Sequence, residues 1–321
     1  MTPVPAPLRS YLGALLDEFR SEEAGDIATY IPELGRADPD WFSICICTAD
    51  GQVYEVGDFG VEFTIQSMSK PFVYGAALEH VGRDEVLARV GVEPSGNPFN
   101  AILVDDTNRP FNPMVNAGAI VTTAMVDSER HILDVLGRYG GRDLAVDEAV
   151  YRSELASGDR NRAIAFLMRS FGVIDGDADA AVDRYFRQCS VSVTCRDLAV
   201  MAATLANRGR NPVTDVVALD ETHVGSVLSV MSTCGMYDAS GDWMFRIGLP
   251  AKSGVSGGVL AVLPGQLGLG VFSPRLNEFG NSTRGIKVCE RIAADFDLHP
   301  MRFQPDVRAV IRRSYTCAEA R

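Results

Sequence analysis

Apolar residues recur along the chain with two different periods. Leu8, Leu12, Leu15, Leu16 and Phe19 fall on one face of a helical repeat, which predicts an amphipathic helix over residues 8–20. From residue 41, WFSICICTA alternates instead. Asp50-Gly51 is a hairpin signal and QVYEVGD follows it, so residues 41–65 are predicted to form strands. From about 70 to 235 the pattern is mainly helical, as in KPFVYGAALEHV, NRAIAFLMRSF and RDLAVMAATLANRG. The last of these has Thr194 as its N-cap and Gly209 as its stop. After Pro250, VLAVL and LGLGVF predict a buried hairpin around Leu-Pro-Gly-Gln. TRGIKVCERIAADF then closes the pattern as a helix through Ile286, Cys289, Ile292 and Phe296. This order predicts an α+β fold. An antiparallel sheet is built from both chain ends (1–70 and 236–300), helices flank it, and a mainly helical region (71–235) is inserted. A tail, 301–321, follows, in which Val307, Val310 and Ile311 could form a short amphipathic helix.

Composition narrows the partners. The 321 residues carry a formal net charge of −12, with 46% hydrophobic and 22% charged residues. That is an ordinary globular balance, and its sign argues against nucleic acid or an anionic membrane as partner. The N-terminal stretch lacks a basic segment followed by an apolar one, so a cytoplasmic location is expected. Seven cysteines with no CxxC are expected to be reduced, and Cys45 and Cys47 read as small apolar strand residues. His80, His131, His223 and His299 are scattered without a metal-ligand spacing. Of 30 basic residues only three are lysines, Lys70, Lys252 and Lys287. Codon usage accounts for the arginine excess. The surviving lysines still merit inspection, because an amine can lose its proton and act as a base.

Two of the three lie in motifs. Ser67-Met68-Ser69-Lys70 joins a strand-like Phe63-Thr64-Ile65 to a helical segment. With Ser67 in the first helical turn, Lys70 lies on the same face and can take the hydroxyl proton, while the helix N-terminus offers N–H groups to an oxyanion. A chance surface Ser and Lys pair is the plain alternative. Lys252-Ser253-Gly254 precedes a glycine-rich strand, and such a Lys-Ser/Thr-Gly faces the SxxK helix in serine β-lactamases and penicillin-binding proteins. Ser95-Gly96-Asn97 matches the third β-lactamase element formally, but PSGNPFN is turn-rich and close in sequence to Ser67. Tyr237 is a candidate second proton carrier, provided a nearby lysine lowers its pKa. Lys287 has no motif and reads as structural.

Longer segments carry a more specific resemblance. TYIPELG, QSMSKPF, PSGNPFN, NPMVNAGAI, SELASGDRN, RYFRQCSVSVTC, MAATLANRG, CGMYDASG, LPAKSGVSGG and GNSTRGI occur in this order from about residue 29 to 290. On these the chain resembles the serine-dependent glutaminases, whose fold is β-lactamase-like. The resemblance implies hydrolysis of L-glutamine to L-glutamate and ammonia through a γ-glutamyl-serine ester, without metal or organic cofactor. It implies Ser67 as nucleophile, Lys70 as its base, Tyr237 as second proton carrier, and the N–H groups of Ser67 and Val255 as oxyanion hole. Asn116, Glu154, Asn161 and Tyr185 match positions that hold the α-amino and α-carboxylate groups. Tyr30 matches a further active-site tyrosine, and Lys252 would line the same site. A homodimer or homotetramer is implied as well, and residues 273–285 fall where the family has a gating segment, with Gly280 as a hinge.

Plain structural readings stand beside these. Asn116 could cap a helix, Tyr185 could be core, and Glu154 and Asn161, seven apart, could share a solvated helical face. Two other functions compete: a β-lactamase or D-Ala-D-Ala peptidase, separated by a nitrocefin or penicillin assay, and a non-catalytic amino-acid binder, which would bind glutamine without releasing ammonia.

Overall fold

The computed structural model describes residues 6–96, 100–126 and 128–302. In chain order it has α1 (Ala6–Arg20), β1 (Ser43–Thr48), β2 (Val53–Gly57), β3 (Phe63–Thr64), α2 (Lys70–Val81), α3 (Arg83–Arg89), α4 (Asn116–Ala124) and α5 (Glu129–Gly140). There follow α6 (Glu148–Ser157), α7 (Asp159–Ser170), α8 (Ala178–Cys189), β4 (Ser192–Val193), α9 (Cys195–Ala206), α10 (Glu221–Cys234) and α11 (Ser240–Arg246). The chain closes with β5 (Ala251–Ser253), β6 (Gly258–Leu263), β7 (Leu267–Phe272) and α12 (Thr283–Asp295). The expected tail helix and Asn97 lie outside the described residues.

Five strands form one antiparallel sheet in the order β2-β1-β7-β6-β5, so both chain ends contribute, as expected. Both faces are covered. Ile44 and Ile46 of β1 face α1 and α12, through Leu12, Leu15, Val288 and Ile292. Cys45 and Cys47 face α9, beside Cys195, Ala199 and Ala203. The alternation in SICICT therefore separates two cores rather than core from solvent. The six described cysteines are free and buried.

The glycines of LGLGVF have a steric reason. A Cβ at Gly268 would lie 2.1 Å from the Ala203 nitrogen and 2.4 Å from the Ala199 carbonyl oxygen, and one at Gly270 would lie 2.7 Å from the Cys195 oxygen. Helix α9 rests directly on the β7 backbone, and side chains there would push it off. Helix α9 starts from a full capping box, in which Thr194 accepts from the Asp197 N–H and the Asp197 carboxylate accepts from the Thr194 N–H. It ends at Ala206, before the expected stop. Gly209 instead holds φ +82° and donates to the Thr204 carbonyl beyond the helix end. At the sheet's other face, buried Arg284 of α12 donates to the Arg20 and Glu22 carbonyls, satisfying groups left open where α1 ends. Lys287 pairs with Glu22 at the surface, in keeping with a structural role.

The inserted region is helical with one departure. Strand β4 returns to pair antiparallel with β3, Phe63 opposite Val193 and Thr64 opposite Ser192. This two-residue ladder clamps the strand that leads into Ser67. Helix α2 is buried from Lys70 to Leu78, which makes it the central helix of the largest core.

Candidate active site

Ser67 sits on a 3₁₀ turn, Gln66–Ser69, that runs into α2 at Lys70. This is one turn earlier than a place in the α-helix itself, but the consequence is the one expected: Ser67 precedes the helix N-terminus and Lys70 begins it. Pro71 fits because first-turn N–H groups lack helical partners. The Lys70 side chain is fully buried, and its ammonium donates to the Met114 carbonyl at 3.0 Å and Asn116 Oδ1 at 2.8 Å. Burial pulls it from its usual 10.5 to about 8.

Ser67 opens into a cavity of about 340 Å³, lined also by Tyr30, Gln66, Asn116, Glu154, Asn161, Tyr185 and Val255. Seven of the ten residues singled out by sequence thus meet at one cavity. Asn116 is the first residue of α4 but does not cap it. Its Oδ1 accepts from Lys70 and, at 3.3 Å, from the Tyr185 hydroxyl, while its Nδ2 donates to Asn161 Oδ1 at 3.0 Å. Tyr185 is both core and site, its ring buried in the α4–α7–α8 cluster and its hydroxyl on Asn116. Glu154 and Asn161 do not share one helix. The helix breaks at Gly158, where a Cβ would lie 2.1 Å from the Phe186 ring, so Glu154 comes from α6 and Asn161 from α7. Burial raises the Glu154 carboxyl to about 7, and its hydrogen bond with Gln66 opposes the rise. Tyr30 stands half exposed among the lining residues.

Tyr237 and the lysines lie behind this wall. The Tyr237 hydroxyl donates to the Ser253 carbonyl at 3.2 Å, and its side chain also hydrogen-bonds with that of Ser67. Burial pushes the phenol up to about 12, opposed by hydrogen bonds with the Ser67 and Ser253 side chains rather than by a lysine as the sequence reading required. Lys252 does not line the cavity. It is fully buried, donates to the Gly235 and Ser253 carbonyls at 2.8 Å, and lies 4.0 Å over the Tyr237 ring. Burial and then the Lys70 charge push Lys252 well below the ordinary lysine range. Ser95 and Gly96 line a small recess with Tyr237, separate from the cavity that Ser67 lines.

The amide N–H groups of Ser67 and Val255 have no backbone acceptor among the described residues, as an oxyanion site requires. Gly280 has φ +82°, a Cβ added there would lie 3.8 Å from Val255 and 3.9 Å from Tyr237, and its loop is held by the Asp26–Leu276 and Leu276–Ser282 bridges. Besides Gly158, sequence reasoning missed Gln66, Asn100, Ser157, Arg160 and Cys189 as lining residues. All of them sit inside quoted motifs, and that was the one available signal.

Comparison with known proteins agrees with this geometry. A glutaminase family model matches residues 25–301. Glutaminase 1 of Bradyrhizobium diazoefficiens is 54% identical over 98% of this chain and 54% of its own length, and glutaminase 2 of the same organism is 54% identical over 98% of this chain and 51% of its own. The chain therefore spans about half the length of these two relatives. The glutaminase of Microcystis aeruginosa is 53% identical over 91% of this chain and 89% of its own. A crystal structure titled as Mglu in its glutamate form superposes with a TM-score of 0.89 at 43% identity, covering 94% of this chain and 72% of that one. A probable glutaminase superposes with the same TM-score, 0.89, at 38% identity, covering 92% and 99%. The α+β arrangement expected from the resemblance, the β-lactamase-like fold, is the one shared with these structures. With a family model spanning the sheet and the inserted helices alike, the chain belongs to the glutaminase family.

Proposed function

We propose that the protein hydrolyses L-glutamine to L-glutamate and ammonia through a γ-glutamyl ester on Ser67. The observation that carries this reading is the cavity wall, which sets one carboxylate, Glu154, and one cation, Arg160, among several neutral hydrogen-bonding groups beside a serine. A free amino acid presents one cation and one anion. Glu154 neutralises the α-ammonium, while Asn116, Asn161 and Tyr185 hydrogen-bond the α-carboxylate; Tyr30 closes the same end.

In this mechanism neutral Lys70 takes the Ser67 proton as Oγ attacks the side-chain carbonyl carbon. The oxyanion is held by the N–H groups of Ser67 and Val255, a contribution of about 10²–10³ in rate per donor in comparable sites. Tyr237 acts as a neutral phenol. It passes its proton to the departing ammonia and is reprotonated with the proton that Lys70 took from Ser67; in deacylation the relay runs in reverse, the attacking water giving up a proton and Ser67 Oγ recovering one. Lys252 supports Tyr237 from behind through its ring. On the family resemblance the active form is a cytoplasmic homodimer or homotetramer, which light scattering of the purified protein would check. No described helix is long and apolar enough to cross a membrane.

The test is ammonia release from millimolar glutamine by the purified chain. Release is expected; binding of glutamine without release would favour a sensor on this fold, and acylation by penicillin would favour the β-lactam class.

A further inference from the structure

One buried polar chain has no part in the steps above. Gln66, immediately before the proposed nucleophile, holds φ +49°, a left-handed backbone that residues with a Cβ seldom adopt. Its carbonyl accepts from Ser69 Oγ at 2.8 Å. That commits the single hydroxyl proton of Ser69, so Ser69 Oγ accepts on its other side, from Gln188 Nε2 at 3.0 Å. Gln188 Oε1 is thereby left as an acceptor, and Thr123 Oγ1 lies 2.7 Å from it. Thr123 also lies 2.7 Å from the Ala119 carbonyl and donates to one of the two at a time. Ser69, Gln188 and Thr123 are all buried. Gln188 belongs to α8, which carries Tyr185, and Thr123 to α4, which begins at Asn116. The chain thus ties the Ser67 turn to the two helices that supply the polar cavity wall. A buried amide is costly unless its partners are met, and an apolar side chain would serve packing equally well.

We propose that Ser69 and Gln188 are positioning residues. Ser69 grips the Gln66 carbonyl and Gln188 holds Ser69, so that together they hold the left-handed turn in place and keep Ser67 Oγ and N–H in register with a substrate fixed by α4 and α8. This rests on Ser67 being the nucleophile. Because neither side chain lines the cavity, the effect falls on the chemical step rather than on substrate binding.

The test is steady-state ammonia release by wild type, Ser69→Ala, Gln188→Met and the double variant, with thermal melts to monitor folding. Each single variant is expected to lose about 10- to 100-fold in kcat, as small misplacements of reacting groups do. KM should stay within about threefold, because ground-state contacts are untouched. The double variant should be no slower than the slower single one, since both break the same chain. Ser69→Cys, similar in volume and still a weak donor, should keep more kcat than Ser69→Ala; if the alanine protein does not fold, Gln188→Met alone carries the test. Wild-type kcat in either single variant overturns the proposal, and so do losses that multiply in the double variant. A wild-type protein that releases no ammonia removes the functional reading itself, and this inference with it; the two failures are told apart by the wild-type rate.

Discussion

Lys70 shows most directly how residue chemistry and burial combine. An amine that must accept a proton has to be neutral part of the time, and burial brings this one to about 8. Glu154, the proposed ammonium partner, binds a cation only when ionised, and burial brings it to about 7. Both groups reach their working state as pH rises, while Tyr237, pushed up to about 12, stays protonated throughout. The kcat/KM for glutamine is therefore expected to climb from pH 6 to pH 9, with the steepest rise around 7–8. A flat or falling profile over that window would contradict the assignment of Lys70 as base. At this scale the sequence was informative for Ser67 and Lys70, since three residues of spacing at a helix start leave little freedom. It was misleading for Lys252. A Lys-Ser-Gly match names a strand but not which side of it faces the cavity, and here the lysine side chain packs under Tyr237 instead. The role of Ser69 was illegible because its partner, Gln188, is 119 residues away.

The elements follow their local patterns where periodicity is long and fail to where tertiary contacts intervene. The α1 and α12 stripes, the β6–β7 hairpin and the Thr194 cap were readable because each is decided within a few residues. The break at Gly158 was not, because the close approach that requires a glycine there comes from the Phe186 ring on another helix. The β3–β4 ladder was equally hidden, being two residues long on each side. The fit of α9 on β7 can be tested alone. Gly268→Ala should cost about 1–3 kcal/mol, the usual penalty of overpacking, with loss of α9 capacity to seat on the sheet. Gly60→Ala, where an added Cβ meets nothing within 4 Å, should change stability by less than about 0.5 kcal/mol. Chemical denaturation of the two variants separates them; equal stabilities would mean that the close approach at Gly268 is not needed.

For the molecule as a whole, the architecture serves to bring groups from distant segments to one cavity. The sheet, completed by both chain ends, presents Val255 and, behind it, Lys252. The inserted helices bring Asn116, Glu154, Asn161 and Tyr185, and the junction between the two carries Ser67 and Lys70. That layout was legible in outline from the order of element types alone. The convergence of seven of the ten residues on one cavity was legible only through family resemblance, because spacing along a chain does not encode distance across a fold. The central claim is that this convergence makes Ser67 a nucleophile. Its most direct measurement is acid quench of the protein turning over glutamine, followed by peptide mapping for an ester-linked glutamyl group. The account predicts the adduct on the peptide containing Ser67, and its loss together with ammonia release in a folded Ser67→Ala protein. Ammonia release that persists in Ser67→Ala, or an adduct on another residue, would contradict it.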